Sequence, residues 1–242
     1  MKSVYKIPQK IKCLTDERKR KSIPLFNIVM PVLLFLMLQY ESFHTIFSAP
    51  ESMSKRLKNC ISGRIPKVDA VRDLLSRINP DEIRSIHEEM IDIIKRNRVF
   101  REGTIGGYVV AGLDGVELFS STKKSCPNCL SRKKHTGETE YFYRSVVCMI
   151  IGKSPHVILG QEMLKPRDGS GKDEGELTGG KRLIEQLKKR HGHFADVIVA
   201  DALYLNAPFI NTLKENGLEG VIRLKDERRM IFQDAERLFK QD

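Results

Sequence analysis

The sequence has few of the features that mark secreted or membrane-anchored proteins. Its 242 residues hold only five cysteines, an odd number, and no secretory leader precedes them. A disulfide framework is therefore not expected, and the cysteines indicate a reducing compartment. The longest uncharged run, 22–40, has 19 residues, which is close to the length of a membrane span. It is interrupted by Pro24, Asn27, Pro31 and Gln39.

Two interpretations of this uncharged run stay open. A single-pass anchor would agree with the basic residues 18–21 that precede the run. A buried helix within 22–47, started by Pro31 and continuing through VLLFLMLQY, is favoured because prolines and polar residues interrupt the apolar side chains. We therefore expect a cytoplasmic protein with no membrane partner.

Positive charge is concentrated in the first part of the chain. The formal net charge is +11, with 42 Lys and Arg against 31 Asp and Glu. Residues 1–102 hold 20 basic and 12 acidic residues, a net of +8, and the remainder holds 22 and 19, a net of +3. This distribution predicts that the front segment contacts a polyanion through phosphate neutralisation. A solvated basic surface is the alternative.

The chain divides by its patterns into a helical part, 1–102, and a stranded part, 103–242. Apolar residues at helical spacing predict two amphipathic helices, one after Pro66 and one after the Asn79–Pro80 cap. Two helices joined by a short turn occur in helix-turn-helix DNA readers and also in small packed bundles. The front part is thus a basic helical region with a candidate DNA-binding role.

Five segments after residue 103 have strand composition, and two helical segments lie among them. The strands are 108–115, 141–152, 156–164, 196–201 and 219–225, and the helices are 181–192 and 207–217. The glycine-rich stretch 169–180 is interpreted as a polar loop, and it lacks the G-K-[ST] of a phosphate-binding loop. The order β-β-β-α-β-α-β predicts an α/β (mixed α+β) domain whose mixed sheet is flanked by helices.

Two of the predicted strands each end at an acid. Asp114 follows YVVAGL and Asp201 follows VIVA. Each acid alone is explained as the cap of a turn. Together, on the first and fourth strands, they are typical of a site at the strand ends, where carboxylates bind Mg²⁺ and two ions act on a phosphodiester.

These residues resemble the ribonuclease-H-like DDE transposases of bacterial insertion sequences. The resemblance rests on YVVAGLDGVELFSS and DVIVADALY, whose acids Asp114 and Asp201 match two of the family's three catalytic, metal-binding acids. It implies two Mg²⁺ or Mn²⁺ ions, double-stranded DNA as partner (the element ends and the target), hydrolysis followed by strand transfer, and a nucleoid-associated location. A homodimer is compatible with this interpretation.

The resemblance is incomplete at the third acid. In the family, a glutamate on a later helix lies in a motif with tyrosine, arginine and lysine, and no tyrosine follows Tyr204 here. Glu227 and Glu236 fall too early for that motif. The sequence therefore predicts a C-terminally truncated transposase that binds DNA without cutting it alone. A catalytically silent DNA-binding remnant or inhibitor is the alternative to an active enzyme.

A cysteine-histidine cluster lies between the first two predicted strands. Cys126 and Cys129 form a C-x₂-C pair, His135 follows, and Cys148 is the nearest further cysteine, so these four are candidate zinc ligands. A metal-free turn is favoured because there is no second cysteine pair. Basic residues that are candidates for DNA contact surround the cluster or follow the fifth strand: Lys123, Lys124, Arg132, Lys133, Lys134, Arg223 and Lys225.

Overall fold

The computed structural model describes residues 5–40, 55, 59, 61, 65–102, 104–152, 154–166, 172–225 and 230–240. The chain forms two compact units, Met1–Ile93 and Ile94–Asp242, so the boundary falls nine residues before the one that the sequence patterns indicate. The first unit is helical where it is described, and the second contains the sheet. Each unit is described by itself below.

The first unit is a small helical bundle with its own core. Its helices are α1 (Ile7–Lys12), α2 (Phe26–Met37), α3 (Val68–Leu75) and α4 (Pro80–Arg96), the last of which ends beyond the unit boundary. The buried cluster joins α1, α2 and α3: Ile7, Ile11, Leu14, Leu25, Ile28, Val32, Val71 and Leu74. The predicted helices after Pro66 and Asn79 are thus confirmed, and α3 contributes its apolar side to a packed core.

Helix α2 begins earlier than the sequence predicts. The expected start at Pro31 is wrong, because Pro31 lies inside α2. The helix begins at Phe26 after the N-cap residue Leu25, and the amides of Asn27 and Ile28 donate to the carbonyls of Pro24 and Leu25. Residues 41–47 of the predicted helical segment lie outside the described residues. No helix in the described part of the chain is both long and apolar enough to cross a bilayer.

The second unit is built on a six-stranded mixed sheet. Its strands are β1 (Val110–Ser121), β2 (Leu130–Lys133), β3 (Thr139–Ile150), β4 (Val157–Met163), β5 (Val197–Ala200) and β6 (Glu219–Ile222). The strand order is β2-β3-β1-β5-β6, and β4 also pairs with β3. Strand β3 pairs antiparallel with β1, β2 and β4. Strand β5 is parallel to β1, and β6 is parallel to β5.

Four further helices bring the described chain to eight. They are α5 (Val99–Glu102), α6 (Glu176–His191), α7 (Ala207–Glu215) and α8 (Met230–Phe239). The predicted α/β class with a mixed sheet is therefore confirmed, while two local predictions are wrong. Strand β2 was interpreted as part of a turn, and the first turns of α6 were interpreted as a loop.

Helix α6 begins within the glycine-rich stretch because two of its glycines pack directly on the core. A Cβ at Gly179 would lie 2.5 Å from Leu164 Cδ2, and a Cβ at Gly180 would lie 2.9 Å from Tyr204 Cε1. These glycines allow the helix to approach the sheet closely, rather than serving as flexible loop residues. This contact places the first residue of α6, Glu176, under strand β1.

Candidate functional site

Asp114 and Asp201 lie on neighbouring parallel strands. The predicted strand end at Asp114 is wrong, because β1 continues to Ser121, where it still pairs with β3, whereas Asp201 directly follows β5. Strand β1 pairs with β5 in a register that joins Leu113 to Ala200, and Asp114 and Asp201 are the next residues on each strand. Neighbouring strands are about 4.8 Å apart, so the backbone positions of the two aspartates are separated by about that distance. Both side chains are exposed. The strand pairing therefore brings two carboxylates to one edge of the sheet.

Each aspartate uses one carboxylate oxygen to fix its local backbone. Asp114 Oδ1 accepts a hydrogen bond from the Gly115 amide at 2.8 Å, and Asp201 Oδ1 accepts one from the Leu203 amide at 2.9 Å. Asp201 thereby caps a short 3₁₀ turn, Ala202–Tyr204, so the capping explanation holds for one oxygen. The second oxygen of each aspartate has no hydrogen-bond or ion-pair partner within the described ranges.

A third acid that the sequence patterns did not reveal, Glu176, lies beside this pair. Its carboxyl group lies directly beneath Gly115, where an added Cβ would be only 2.3 Å from Cδ and Oε2. Glu176 is buried and forms an ion pair with Arg144 of β3. The hydroxyl of Tyr204 lies 3.5 Å from Glu176 Oε2, at the outer limit of a hydrogen bond.

The pKa values of Glu176 and Tyr204 are raised chiefly by burial, with a further contribution from nearby negative charge. Burial raises the pKa of Glu176, the Arg144 guanidinium opposes that rise, and the charges of Asp114 and Asp201 add to it. Burial likewise raises the pKa of Tyr204, and the three carboxylates add to the effect. All three acids are thus close enough to act on one another electrostatically. A desolvated carboxyl beside like charges is a common mark of a functional site.

The start of α6 is held in place by ion pairs to the neighbouring strand. Arg182 of α6 donates to Glu162 of β4 at 2.7 Å and to Glu174, just before the helix. The amide of Lys165 donates to Glu174 Oε2 at 2.9 Å, and the Glu174 amide donates to the Lys165 carbonyl at 3.0 Å. These contacts join the end of β4 to the first turn of α6, which fixes the position of Glu176.

The three acids do not form one ligand cluster. Within the described ranges, no group of three or more His, Cys, Asp or Glu side chains has the arrangement needed to hold a metal ion. Strand alternation gives the reason: Gly115 turns its Cβ position toward Glu176, so the preceding Asp114 projects toward the opposite face of the sheet. The aspartate pair and the glutamate approach the edge from different sides.

A basic residue follows the next strand at the same edge. Ala200 pairs with Ile222 of β6, and the amide of the following residue, Arg223, donates to the Ala200 carbonyl at 3.2 Å. Arg223 is exposed and directly neighbours Asp201 across the sheet, and Lys225 lies two residues further and is also exposed. The order along the edge is Asp114, Asp201, Arg223, which places a cation beside the carboxylates.

Cys126 and Cys129 form a close thiol pair beside a tyrosine. Their Sγ atoms are 3.1 Å apart, and Cys126 Sγ is 2.6 Å from the hydroxyl of Tyr143. The hydrogen bond with Tyr143, followed by that with Cys129, lowers the pKa of the Cys126 thiol. The sequence had indicated the cysteine pair, but tertiary structure alone brought Tyr143 to it.

The four-ligand zinc site that the sequence allowed is not assembled in the described part of the chain. Cys148 lies five residues beyond Tyr143 on β3, about 17 Å along the strand, and is fully buried in the sheet. Burial raises the pKa of its thiol to about 12. His135 is exposed in the turn between β2 and β3. Cys148 is therefore a core residue, and its inclusion among the ligands is corrected.

The basic residues around this cluster differ in how far their charge is already neutralised. Arg132 forms ion pairs with Glu117 and Glu140, and Lys134 forms one with Glu140 at 2.9 Å. Arg132 also lies over the ring of Phe142, 4.5 Å from its centroid. The remaining basic candidates are exposed and have no ion-pair partner among the residues described: Lys123, Lys124, Lys133, Arg223 and Lys225.

Comparison with known proteins gives no match: no family model, no curated protein and no solved structure corresponds to this chain.

Proposed function

We propose that this chain carries the DNA-processing domain of an insertion-sequence transposase, which hydrolyses a phosphodiester at the element end and joins the freed 3′ hydroxyl to target DNA. The observation that carries the proposal is the acidic edge formed by Asp114 and Asp201 on adjacent parallel strands. Glu176 lies within electrostatic reach of both aspartates. Three carboxylates and a neighbouring arginine suit metal-assisted phosphoryl chemistry.

The strand arrangement supports a ribonuclease-H-like assignment for the second unit. Three strands, β1, β3 and β4, pair antiparallel, and two later strands, β5 and β6, continue the sheet in parallel on the other side of β1. The transposases that the sequence resembles place their first acid on the first strand and their second after the fourth strand. Asp114 and Asp201 occupy these positions once the short strand β2 is set aside.

The aspartate pair suits a hard divalent cation. Mg²⁺ is usually bound by one or two carboxylates with water and substrate phosphate completing its shell, and each aspartate has one oxygen without a protein partner among the described residues. Asp114 and Asp201 would hold the ion, which when bound would activate the attacking oxygen and stabilise the leaving oxygen of the phosphodiester. Mn²⁺ suits the same oxygen ligands.

The other residues of the edge supply charge rather than shared ligands. Glu176 adds negative charge to a partly desolvated edge, which raises the affinity of the edge for a cation. Arg223 lies beside Asp201, where a DNA phosphate bound to the same edge would meet a guanidinium capable of bidentate contact. The guanidinium of Arg144 forms an ion pair with Glu176 and offsets its charge.

The proposal is tested with the purified chain, duplex DNA that carries the ends of its own element, and Mg²⁺ or Mn²⁺. Strand cleavage should be lost in Asp114→Asn and in Asp201→Asn. It should persist in Glu215→Gln, a matched change to an exposed acid of α7. In Glu176→Gln, the Mg²⁺ concentration for half-maximal cleavage should rise. Cleavage that survives both aspartate changes would refute the assignment of the site.

A catalytically silent DNA-binding remnant is a second candidate, and one observation favours it. The Glu176 carboxylate is engaged by Arg144 and lies close to Tyr204, and the described residues contain no cluster of three metal ligands. A remnant would bind the element ends with an affinity that falls steeply with salt, yet would leave the strands intact with either metal. The cleavage assay above therefore decides between the two candidates.

A further inference from the structure

The backbone between Cys126 and Cys129 has the geometry that a disulfide requires. The Cys129 amide donates to the Cys126 carbonyl at 3.1 Å, which closes a four-residue turn through Pro127 and Asn128. The Cα atoms at the ends of such a turn are less than about 7 Å apart, and bridged cysteines have Cα atoms about 4.4–6.8 Å apart. Pro127 is in the second position of the turn, where its fixed φ stabilises this backbone. The two cysteines can therefore be bridged with little movement of the chain.

The two side chains are also directed toward each other. Their Sγ atoms are 3.1 Å apart, and both cysteines are free thiols. Small rotations about the side-chain bonds are enough to bring the sulfur atoms into bonding distance. Backbone and side chains thus agree on the same bridge.

The two thiols differ in their access to a reagent. Cys126 is half-buried, whereas Cys129 is only 9% exposed. The Tyr143 hydroxyl lies 2.6 Å from Cys126 Sγ, where it can donate to a thiolate, and the exposed residues Lys123 and Lys124 precede the pair in the chain. A partly exposed thiol with a hydrogen-bond donor and positive charge nearby is typical of a reactive cysteine. Cys126 is therefore the thiol that a reagent meets first, and Cys129 is placed to react with it afterwards.

The other described cysteines lack this arrangement. Cys148 is fully buried in the sheet. Cys13 is exposed, and it is the only cysteine among the described residues of the helical unit. Cys13 therefore provides an internal comparison, because it is an accessible thiol without a neighbouring thiol in the described part of its unit.

We propose that Cys126 and Cys129 form a site of reversible thiol oxidation whose co-reactant is a small disulfide. The Cys126 thiolate attacks one sulfur of the small disulfide, which forms a mixed disulfide and releases one small thiolate. Cys129 then loses its proton and attacks Cys126 Sγ, which forms the protein disulfide and releases the second small thiolate. The two electrons given up by the cysteines reduce the small disulfide, and the two released thiolates take up the two protons. An excess of small thiol reverses both steps.

This inference does not depend on the proposed function, because neither cysteine belongs to the acidic edge. It concerns a covalent change in the turn between β1 and β2. Loss of the transposase assignment would leave it standing, and its own failure would leave that assignment untouched.

Trypsin separates the relevant thiols, which makes the test direct. Cleavage after Lys124 and Arg132 gives one peptide, 125–132, with both cysteines of the pair, and cleavage after Lys12 and Arg18 gives another with Cys13 alone. The folded full-length chain is incubated with oxidised glutathione, quenched with acid, denatured, treated with N-ethylmaleimide and digested for mass spectrometry. Peptide 125–132 should lose two hydrogens and carry neither glutathione nor maleimide. It should do so about ten times faster than Cys13 acquires glutathione, because the second thiol removes the mixed disulfide as it forms.

Two single variants resolve the order of the steps. Cys129→Ser should stop at the mixed disulfide and retain glutathione on Cys126, and Cys129→Ala repeats this test without a hydroxyl in the buried position. Cys126→Ser should leave Cys129 free to react with maleimide only after denaturation. Reduction of the oxidised wild type with dithiothreitol should restore two maleimide groups to peptide 125–132. Far-ultraviolet circular dichroism verifies the fold of each variant.

Three results would overturn the proposal. One is glutathione retained on wild-type peptide 125–132 together with a maleimide-labelled Cys129. Another is modification of the pair no faster than that of Cys13. The third is modification of Cys129 in folded Cys126→Ser at the rate of the wild-type pair, which would show that Cys126 is not the thiol attacked first.

Discussion

Replacing Gly115 by alanine should displace Glu176 from its place beneath strand β1. The added Cβ would lie 2.3 Å from Cδ and Oε2 of Glu176, whereas carbon atoms in contact are normally about 3.5 Å apart or more. The carboxyl group must therefore move by about 1 Å or more. That movement separates it from the Arg144 guanidinium, its ion-pair partner.

The expected loss of stability follows from these contacts. Hydrogen bonds to a charged group contribute about 1.5–3 kcal/mol, and the ion pair of Glu176 is the contact at risk. Alanine in place of glycine within a strand returns about 0.5–1 kcal/mol through chain entropy. The net loss should be about 1–2 kcal/mol. For a chain of this size, it lowers the melting temperature by about 2–8 °C.

Urea unfolding of four variants isolates the effect: wild type, Gly115→Ala, Glu176→Ala and the double variant. Once the carboxylate is absent, Gly115→Ala should be neutral or slightly stabilising. The coupling free energy between the two positions should therefore be about 1.5–3 kcal/mol, within the range found for residues in contact. Gly112→Ala is the matched control, because the atoms nearest to its Cβ would belong to the Ile151 side chain, the closest of them Cγ2 at 3.2 Å.

The same loss from Gly115→Ala in both backgrounds would refute this reasoning. It would mean that Glu176 does not lie beneath Gly115 in solution, and the assignment of Glu176 to the acidic edge would be lost with it. An equally large loss in Gly112→Ala would instead indicate that the strand rejects any side chain in this region.

Three further predictions concern charge. Burial and the neighbouring aspartates raise the folded pKa of Glu176 above its ordinary 4.5, so its protonated form stabilises the fold at low pH. That contribution is present below about pH 4.5 and is lost as the pH rises through the folded pKa, so Glu176→Gln should flatten this fall in a pH–stability profile. Removing the hydroxyl in Tyr143→Phe should raise the pKa of the Cys126 thiol and move its alkylation by iodoacetamide to higher pH. Lys133→Ala should lower the salt dependence of DNA binding by the equivalent of about one phosphate contact. Arg132→Ala should lower it less, because the Arg132 guanidinium is already paired with two carboxylates.

Each of these three predictions would be contradicted by a specific result. An unchanged pH profile in Glu176→Gln would show that this carboxyl is not desolvated. An unchanged alkylation profile in Tyr143→Phe would separate the tyrosine from the thiol. Equal effects of the two basic substitutions on the salt dependence would show that the ion pairs of Arg132 open when DNA binds.

The sequence by itself was enough to locate the aspartates and to predict the class of the fold. Alternating and continuous apolar runs are local properties of the chain, and they predicted the strands that carry Asp114 and Asp201. Proline, asparagine and glycine residues at the helix ends likewise predicted α3, α4 and α7. Strand β2 (LSRK) has one apolar residue among its four and so carries no strand pattern, whereas the equally short β5 (VIVA) is wholly apolar.

Tertiary structure decided which other groups meet these acids. Glu176 stands in a stretch whose glycines suggested a loop, and only the contacts of Gly179 and Gly180 with Leu164 and Tyr204 show that the stretch is helical. Glu176 and Asp114 are 62 positions apart in the sequence, and no local pattern relates them. Strand register and a close helix–sheet contact bring them together, because both depend on packing between distant segments. Local periodicity predicts that a strand is present, whereas long-range packing decides how far it extends and what lies beside it: β1 continues to Ser121 through its pairing with β3.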